Sequence, residues 1–218
     1  MDESQSIYER QCAIMLTSAI QEFIFEDTTV QLVVPNAIAV QQWYKQQANE
    51  KPFPFWAKIW PAAIALTNFL AQNQHFILHK NVVEVAAGLG LPSVYAAAFA
   101  NTVCCTDYVQ EPLDFVKQSA QLNQLNNISC EVFNWNNLSE TITADVLLLS
   151  DINYEPSAFN SLFNMLQFFL QKQTTVLLST PQRLMAKPFI ERLLQYCVYT
   201  EEQQIDDTAV SVYVLKQH

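Results

Sequence analysis

The segment Val82–Ser93 reads VVEVAAGLGLPS and holds both glycines of a 218-residue chain. Glycine is the usual residue wherever a backbone needs positive φ, so every other turn must be made with Asn, Asp or Pro. Something at Gly88 and Gly90 therefore excludes even a methyl group. An apolar run leads into the pair, and LPSVYAAAFA follows with Pro92 in the first turn of a helix. In an open α/β sheet a loop after the first strand lies beyond the carboxyl ends of the strands, where ligands bind. A loop without side chains lets a ligand rest on the backbone against the helix N-terminus. A tight turn needing positive φ is the alternative use of the pair.

From Asn81 onward apolar runs alternate with amphipathic ones. VVEVA, TVCCTD, ISCEVF, ADVLLLSD and TTVLLST read as strands, and LPSVYAAAFA, VQEPLDFVKQSAQLNQ, PSAFNSLFNMLQFFLQ and KPFIERLLQ as helices. Connections of crossover length predict a mostly parallel sheet covered on both faces. YCVYTEEQ and AVSVYVLKQ are separated by too few residues for a crossover, so they predict a terminal antiparallel hairpin and a sheet of seven strands. Residues 1–55 differ in texture: a helix over SIYERQCAIMLTSAIQ, two short strands in FIFEDTTVQLVVP around Glu26 and Asp27, and a helix in NAIAVQQWYKQQANEK. They are read as an N-terminal α/β extension, and 56–218 as the main domain.

Five cysteines, odd in number and without a Cys-x-x-Cys clip, read as reduced thiols of a cytoplasmic protein. The start MDESQSIYERQC is acidic and does not resemble a secretory signal, and no run is long enough to span a bilayer. A formal charge of -10 with no Lys/Arg cluster disfavours a phosphate backbone as partner and favours a basic partner or a small molecule.

Asp107 ends the second strand about 20 residues beyond the glycine loop, where a carboxylate can accept both ribose hydroxyls of a nucleoside ligand; capping the next helix is its other use. Glu84 lies inside the first strand, where burial requires a donor, either a ligand ammonium or backbone N–H groups. Ser93 stands where a dinucleotide fingerprint has its third glycine. The strand ADVLLLS runs directly into Asp151-Ile152-Asn153-Tyr154.

With these residues in view, VVEVAAGLG resembles the first motif of seven-stranded S-adenosylmethionine-dependent methyltransferases. PFWAKIWPAAIAL, VVEVAAGLGLPS, VCCTDY, FNWNN and LLLSDINYEP, in that order, resemble the methyltransferase-like protein-lysine methyltransferases (family 16), marked by an Asp-x-x-Tyr after the fourth strand. The resemblance runs from about Pro52 to Leu178. It implies a doubly wound Rossmann-like α/β sheet and an S-adenosylmethionine cofactor. Trp60 would pack near that cofactor, Glu84, Gly88 and Gly90 would line its methionine end, Asp107 would hold the ribose, and Tyr108 and Trp135 would flank the adenine. Asp151 and Tyr154 would face the methyl group and the acceptor, a lysine of a protein. Two positions depart from the motif: Ala86 replaces its first glycine, and Asn134 stands where an Asp is common, with an oxygen still able to accept from an adenine amino group.

No metal site is expected. His75 and His79 have i, i+4 spacing but no third ligand, and Cys104 and Cys105 point to opposite faces of a strand. A small-molecule N- or O-methyltransferase is the main rival reading. A nicotinamide oxidoreductase would have to dispense with the third glycine, which this chain lacks, and a non-catalytic cofactor-binding protein would not need Asp151 and Tyr154 intact. No nucleic-acid or membrane partner is expected.

Overall fold

The computed structural model describes residues 18–45, 53–137 and 142–217. Its centre is a seven-stranded sheet. Strands β3 (Asn81–Glu84), β4 (Thr102–Asp107), β5 (Ile128–Val132), β6 (Val146–Ser150) and β7 (Thr175–Pro181) are parallel, and β8 (Cys197–Ile205) with β9 (Thr208–Leu215) forms the antiparallel hairpin. The spatial order is β5-β4-β3-β6-β7-β9-β8. The order therefore reverses at β3, and the loop after β3 opens where chain direction across the sheet changes. The expected seven strands, parallel core and terminal hairpin are all present.

Alternating burial shows why apolar runs become strands. Leu147 and Leu149 enter one core with Val83, Val176 and Leu178, while Val146 and Leu148 enter the opposite core with Val82 and Val103. Such two-sided burial needs helices on both faces. Helices α2 (Pro61–Gln72), α3 (Leu91–Ala97) and α4 (Gln110–Leu122) supply the second core with Leu66, Phe69, Tyr95 and Val116. Helix α5 (Phe159–Gln171) and α6 (Lys187–Leu193) supply the first with Leu162, Phe169 and Phe189. The aromatics of FNSLFNMLQFF at helical spacing are thus core residues.

N-terminal to the sheet, β1 (Ala19–Phe25) and β2 (Thr28–Val34) form a separate hairpin turning at Glu26 and Asp27, followed by α1 (Ala37–Lys45), whose first turn Asn36 caps through Oδ1. The expected helix over residues 6–21 differs here. Ala19, Ile20 and Gln21 are strand, because they pair with Val34, Val33 and Leu32 of β2, and the remainder up to residue 17 lies outside the described residues. The hairpin docks on α4: Ser119 Oγ accepts from Val33 N at 2.9 Å, and Asn123 both accepts from Gln31 N and donates to Gln31 O.

The shortage of glycine is met by a wider set of residues than the expected Asn, Asp and Pro. Glu26, Asp206, Gln124, Gln173 and His79 take positive φ at turns and element ends. His75 lies in a 3-10 turn, Gln74–Phe76.

Candidate active site

The chain leaves β3 at Glu84 and is pinned at once to both neighbouring strands. Val85 N donates to Leu148 O, Ala87 N to Thr106 O, and Thr106 Oγ1 to Glu84 O. Between these anchors and α3 the backbone takes left-handed φ at Ala86 (55°), Gly88 (55°) and Gly90 (66°). A left-handed L-residue costs about 1–2 kcal/mol, so Ala86 carries strain that a glycine would not.

The two glycines serve different ends. A Cβ on Gly88 would meet Trp56 at 3.6 Å, ordinary contact, so the left-handed φ rather than a clash sets this position. A Cβ on Gly90 would stand 2.8 Å from Val116 Cγ2 and 3.2 Å from Cys105 Sγ. The expectation that both glycines keep a side chain away from a ligand therefore needs correction at Gly90, where the excluded methyl would strike α4 and β4 beneath the loop.

Glu84 is fully buried and absent from the cavity wall. Of the two donors expected for it, the second is found within the protein: Ser93 N and Ser93 Oγ both donate to Glu84 Oε2, at 2.9 and 2.5 Å. The serine at the third-glycine position thus ties α3 to β3. Oε1 has no hydrogen-bond partner among the described residues. Burial, only partly opposed by the Ser93 bonds, pushes the carboxyl up to about 8. A raised pKa favours the folded state while the group is protonated, so this contribution is complete below about 4.5 and is lost as pH rises through about 8. Glu84→Gln, measured by denaturant unfolding across that range, is expected to remove this decline; an unchanged pH slope would assign it to other groups.

Asp107, at the end of β4, is nine-tenths buried. Its Oδ2 accepts Gly88 N–H at 2.9 Å and its Oδ1 accepts Val109 N–H at 3.3 Å, so it fastens the glycine loop and the turn before α4, without capping the helix. Burial raises its pKa, and the backbone N–H groups oppose that rise. Tyr108 beside it is exposed.

A cavity of about 610 Å³ joins these groups, within the range of small-molecule sites. Its wall includes Gly88, Gly90, Asp107, Tyr108 and Trp135, and also Trp60, Asp151 and Tyr154. Eight of the nine residues expected from the sequence therefore meet in one cavity, and Glu84 supports it from behind. Asn134 is not in that wall; its Oδ1 accepts Asn136 N–H at 2.9 Å and shapes the turn that carries Trp135. Trp60 donates Nε1–H to Phe55 O at 2.7 Å, and the Phe55 ring lies 5.2 Å from Tyr154 and 4.8 Å from Phe53, giving an aromatic side to the cavity. Tyr44 of α1 also lines it, with its hydroxyl accepting from Trp56 Nε1; burial pushes that phenol up to about 12.

Sequence reasoning missed Arg183. Its guanidinium grips the Asp151 carboxylate edge-on, Nη1 to Oδ1 and Nη2 to Oδ2, the latter at 2.9 Å. Asp151 is 9% exposed and Arg183 30%, and the bond raises the Arg183 pKa further. Asp151 has a positive φ of 55°, its N–H bonds Ser179 O, and Thr180 Oγ1 donates to Asn153 Oδ1. The Asp-Ile-Asn-Tyr loop is thus fixed to the end of β7 by two hydrogen bonds and to Arg183 just beyond it by the ion pair. The only available sequence signal was a basic residue just past a strand end in a chain with 11 Lys and Arg.

A family model described as lysine methyltransferase matches residues 45–196. The chain belongs to that family. Mouse histone-arginine methyltransferase METTL23 is 32% identical over 124 residues, 54% of this chain and 49% of the mouse protein. The human METTL23 is 29% identical over 159 residues, 68% of this chain and 84% of the human protein. The chain thus spans about half the length of the mouse relative. The N-methyltransferase NodS of Bradyrhizobium japonicum WM9, solved with S-adenosyl-L-homocysteine, has a TM-score of 0.59 at 12% identity, covering 82% of this chain and 98% of that one. At that identity the likeness shows the fold. The lysine methyltransferase family is one of S-adenosylmethionine-dependent methyltransferases, and the chain has their Rossmann-like fold.

The cavity of this lysine methyltransferase family member fits that cofactor: a loop bare of side chains at Gly88 and Gly90, a buried carboxylate at the second strand end and aromatic flanks at Tyr108 and Trp135. Among the described residues no helix is long and apolar enough to cross a membrane.

Proposed function

We propose that the chain transfers a methyl group from S-adenosylmethionine to the side-chain nitrogen of a lysine on an acceptor protein. The observation that carries this reading is that one cavity wall holds both the glycine loop with Asp107 and the Asp151–Tyr154 pair. Asp107 accepts the ribose hydroxyls, Tyr108 and Trp135 flank the adenine, and the Gly88–Gly90 backbone with Trp60 lines the methionine end. Glu84 acts through Ser93 and the loop. When bound there, the cofactor supplies a methyl group on a sulfonium, an electrophile for in-line displacement.

The residues of the chain then have to place the acceptor nitrogen and exclude water. An approaching ammonium meets Glu111, Glu155 and the faces of Phe55 and Tyr154, which attract a cation. Its ordinary pKa of about 10.4 must fall before it can attack, and partial desolvation together with the nearby Arg183 charge works in that direction. With both carboxylate oxygens engaged by Arg183, Asp151 serves to orient the nitrogen rather than to take its proton. In this reading residues 1–55 form an N-terminal extension whose Tyr44 reaches the wall of a methyltransferase domain over 56–218, and the protein works in the cytoplasm, where its free thiols stay reduced.

An arginine acceptor is the second reading. Its support is that Asp151 already holds a guanidinium edge-on, together with the activity named for METTL23. The fold does not exclude nucleic acid, since an rRNA methylase shares it; the charge of -10 is what disfavours it.

Incubation of the protein with labelled S-adenosylmethionine and, separately, cell protein, RNA and a small-molecule extract tests the acceptor. Label recovered from hydrolysed protein as N-methyl-lysine is the expected result. N-methyl-arginine would select the second reading, and label confined to RNA or small molecules would overturn both.

A further inference from the structure

Beneath the glycine loop, and outside the cavity, two thiols meet across adjacent strands. Cys105 of β4 and Cys130 of β5 are register partners in the parallel pairing, so their side chains leave the same face of the sheet side by side. Both pack on the same core cluster, Cys105 fully buried and Cys130 partly exposed on the outer strand of the sheet. Paired strands lie about 4.8 Å apart, inside the Cα separation that a disulfide spans. Cys104 faces the opposite core. Cys105 Sγ is also one of the atoms that a Cβ on Gly90 would strike, so the sulfur is part of the floor that sets the loop.

We propose that Cys105 and Cys130 form a redox modification site, at which hydrogen peroxide closes a disulfide between β4 and β5 and weakens ligand binding at the glycine loop. Cys130 is the attacking thiol. It is the accessible member, and the neighbouring Cys105 thiol together with nearby Lys117 holds its pKa below the ordinary thiol value. Its thiolate attacks one peroxide oxygen; an S–O bond forms, the O–O bond breaks, and the second oxygen leaves as hydroxide and takes a proton. Cys105 then attacks the sulfenic sulfur; the S–S bond forms, the S–O bond breaks, and hydroxide leaves as water with the Cys105 proton. Two thiols are oxidised and one peroxide is reduced to two waters. Drawing Cys105 Sγ toward β5 removes it from its place under Gly90, which is the structural route to the loop.

The disulfide needs no ligand for its detection, while its effect on affinity rests on the cofactor reading above. The full chain is treated with limiting peroxide, alkylated and digested without reduction, and half of each sample is titrated calorimetrically with S-adenosylmethionine. The expected products are a linked peptide pair carrying Cys105 and Cys130, and an affinity lower by at least about fivefold that dithiothreitol restores. Cys130→Ser should abolish both effects, and Cys105→Ala should leave a sulfenic acid on Cys130 that dimedone traps. Oxidation of Cys130 without linkage, a linked protein that titrates like the reduced one, or a Cys130→Ser protein that still loses affinity would each overturn the proposal. If the reduced protein fails to bind S-adenosylmethionine, the cofactor reading falls, and the peptide map alone decides the disulfide.

Discussion

Asp107→Ala is expected to reduce affinity for S-adenosylmethionine by about a hundredfold or more while the protein stays folded. Each hydrogen bond to a charged group contributes about 1.5–3 kcal/mol, and a ribose presents two hydroxyls to one carboxylate. The carboxylate also holds Gly88 N–H and Val109 N–H, so its loss releases the loop that carries the methionine end. Asp107→Asn, which keeps two hydrogen-bonding atoms at the same place, should fall between wild type and alanine. Calorimetry reads the affinity and thermal unfolding reads the fold. An alanine variant that binds like wild type would remove Asp107 from the cofactor site.

The second large effect is expected at Asp151. Asp151→Ala should lower methyl transfer by about a hundredfold or more, the scale of losing a positioned charged group in a water-excluded site, and leave cofactor affinity within about threefold. Its partner is informative in a different way. Asp151→Ala strands Arg183, whose guanidinium is 30% exposed and can turn to water, whereas Arg183→Met strands a carboxylate only 9% exposed. The arginine variant should therefore unfold at lower temperature than the aspartate variant, although its transfer rate also falls. Because the pair acts as a unit, the double variant should lose much less activity than the two single losses combined. Independent, fully additive losses would mean that Arg183 does not act through Asp151.

Much of this site was legible because its residues sit at strand ends, and strand ends follow from apolar runs and their spacing. Four buried runs and the half-exposed ISCEV run marked the parallel strands, and the short gap around Asp206 and Asp207 marked the terminal hairpin. Gly88, Asp107 and Asp151 then fall at the same edge of the sheet with no need to know side-chain directions. What stayed hidden depends on contacts between distant segments. Arg183 meets Asp151 across 32 positions, and no local pattern marks it. Gly90 lines the cavity as expected, but that its missing side chain makes room for Val116 and Cys105 shows only once α4 and β4 are packed beneath it. Glu84 could be seen to need a donor, but only the folded loop shows that Ser93 supplies it. Ala19–Gln21 failed for a similar reason: the helical periodicity of that segment was outweighed by pairing with β2.

The central claim is that this cavity belongs to S-adenosylmethionine. Its most direct test is calorimetric titration of the wild-type protein with S-adenosylmethionine, S-adenosylhomocysteine and NAD in parallel. Saturable one-site binding of the first two, with no heat from NAD, is the predicted result. Binding of NAD alone, or of none of the three, would contradict the account.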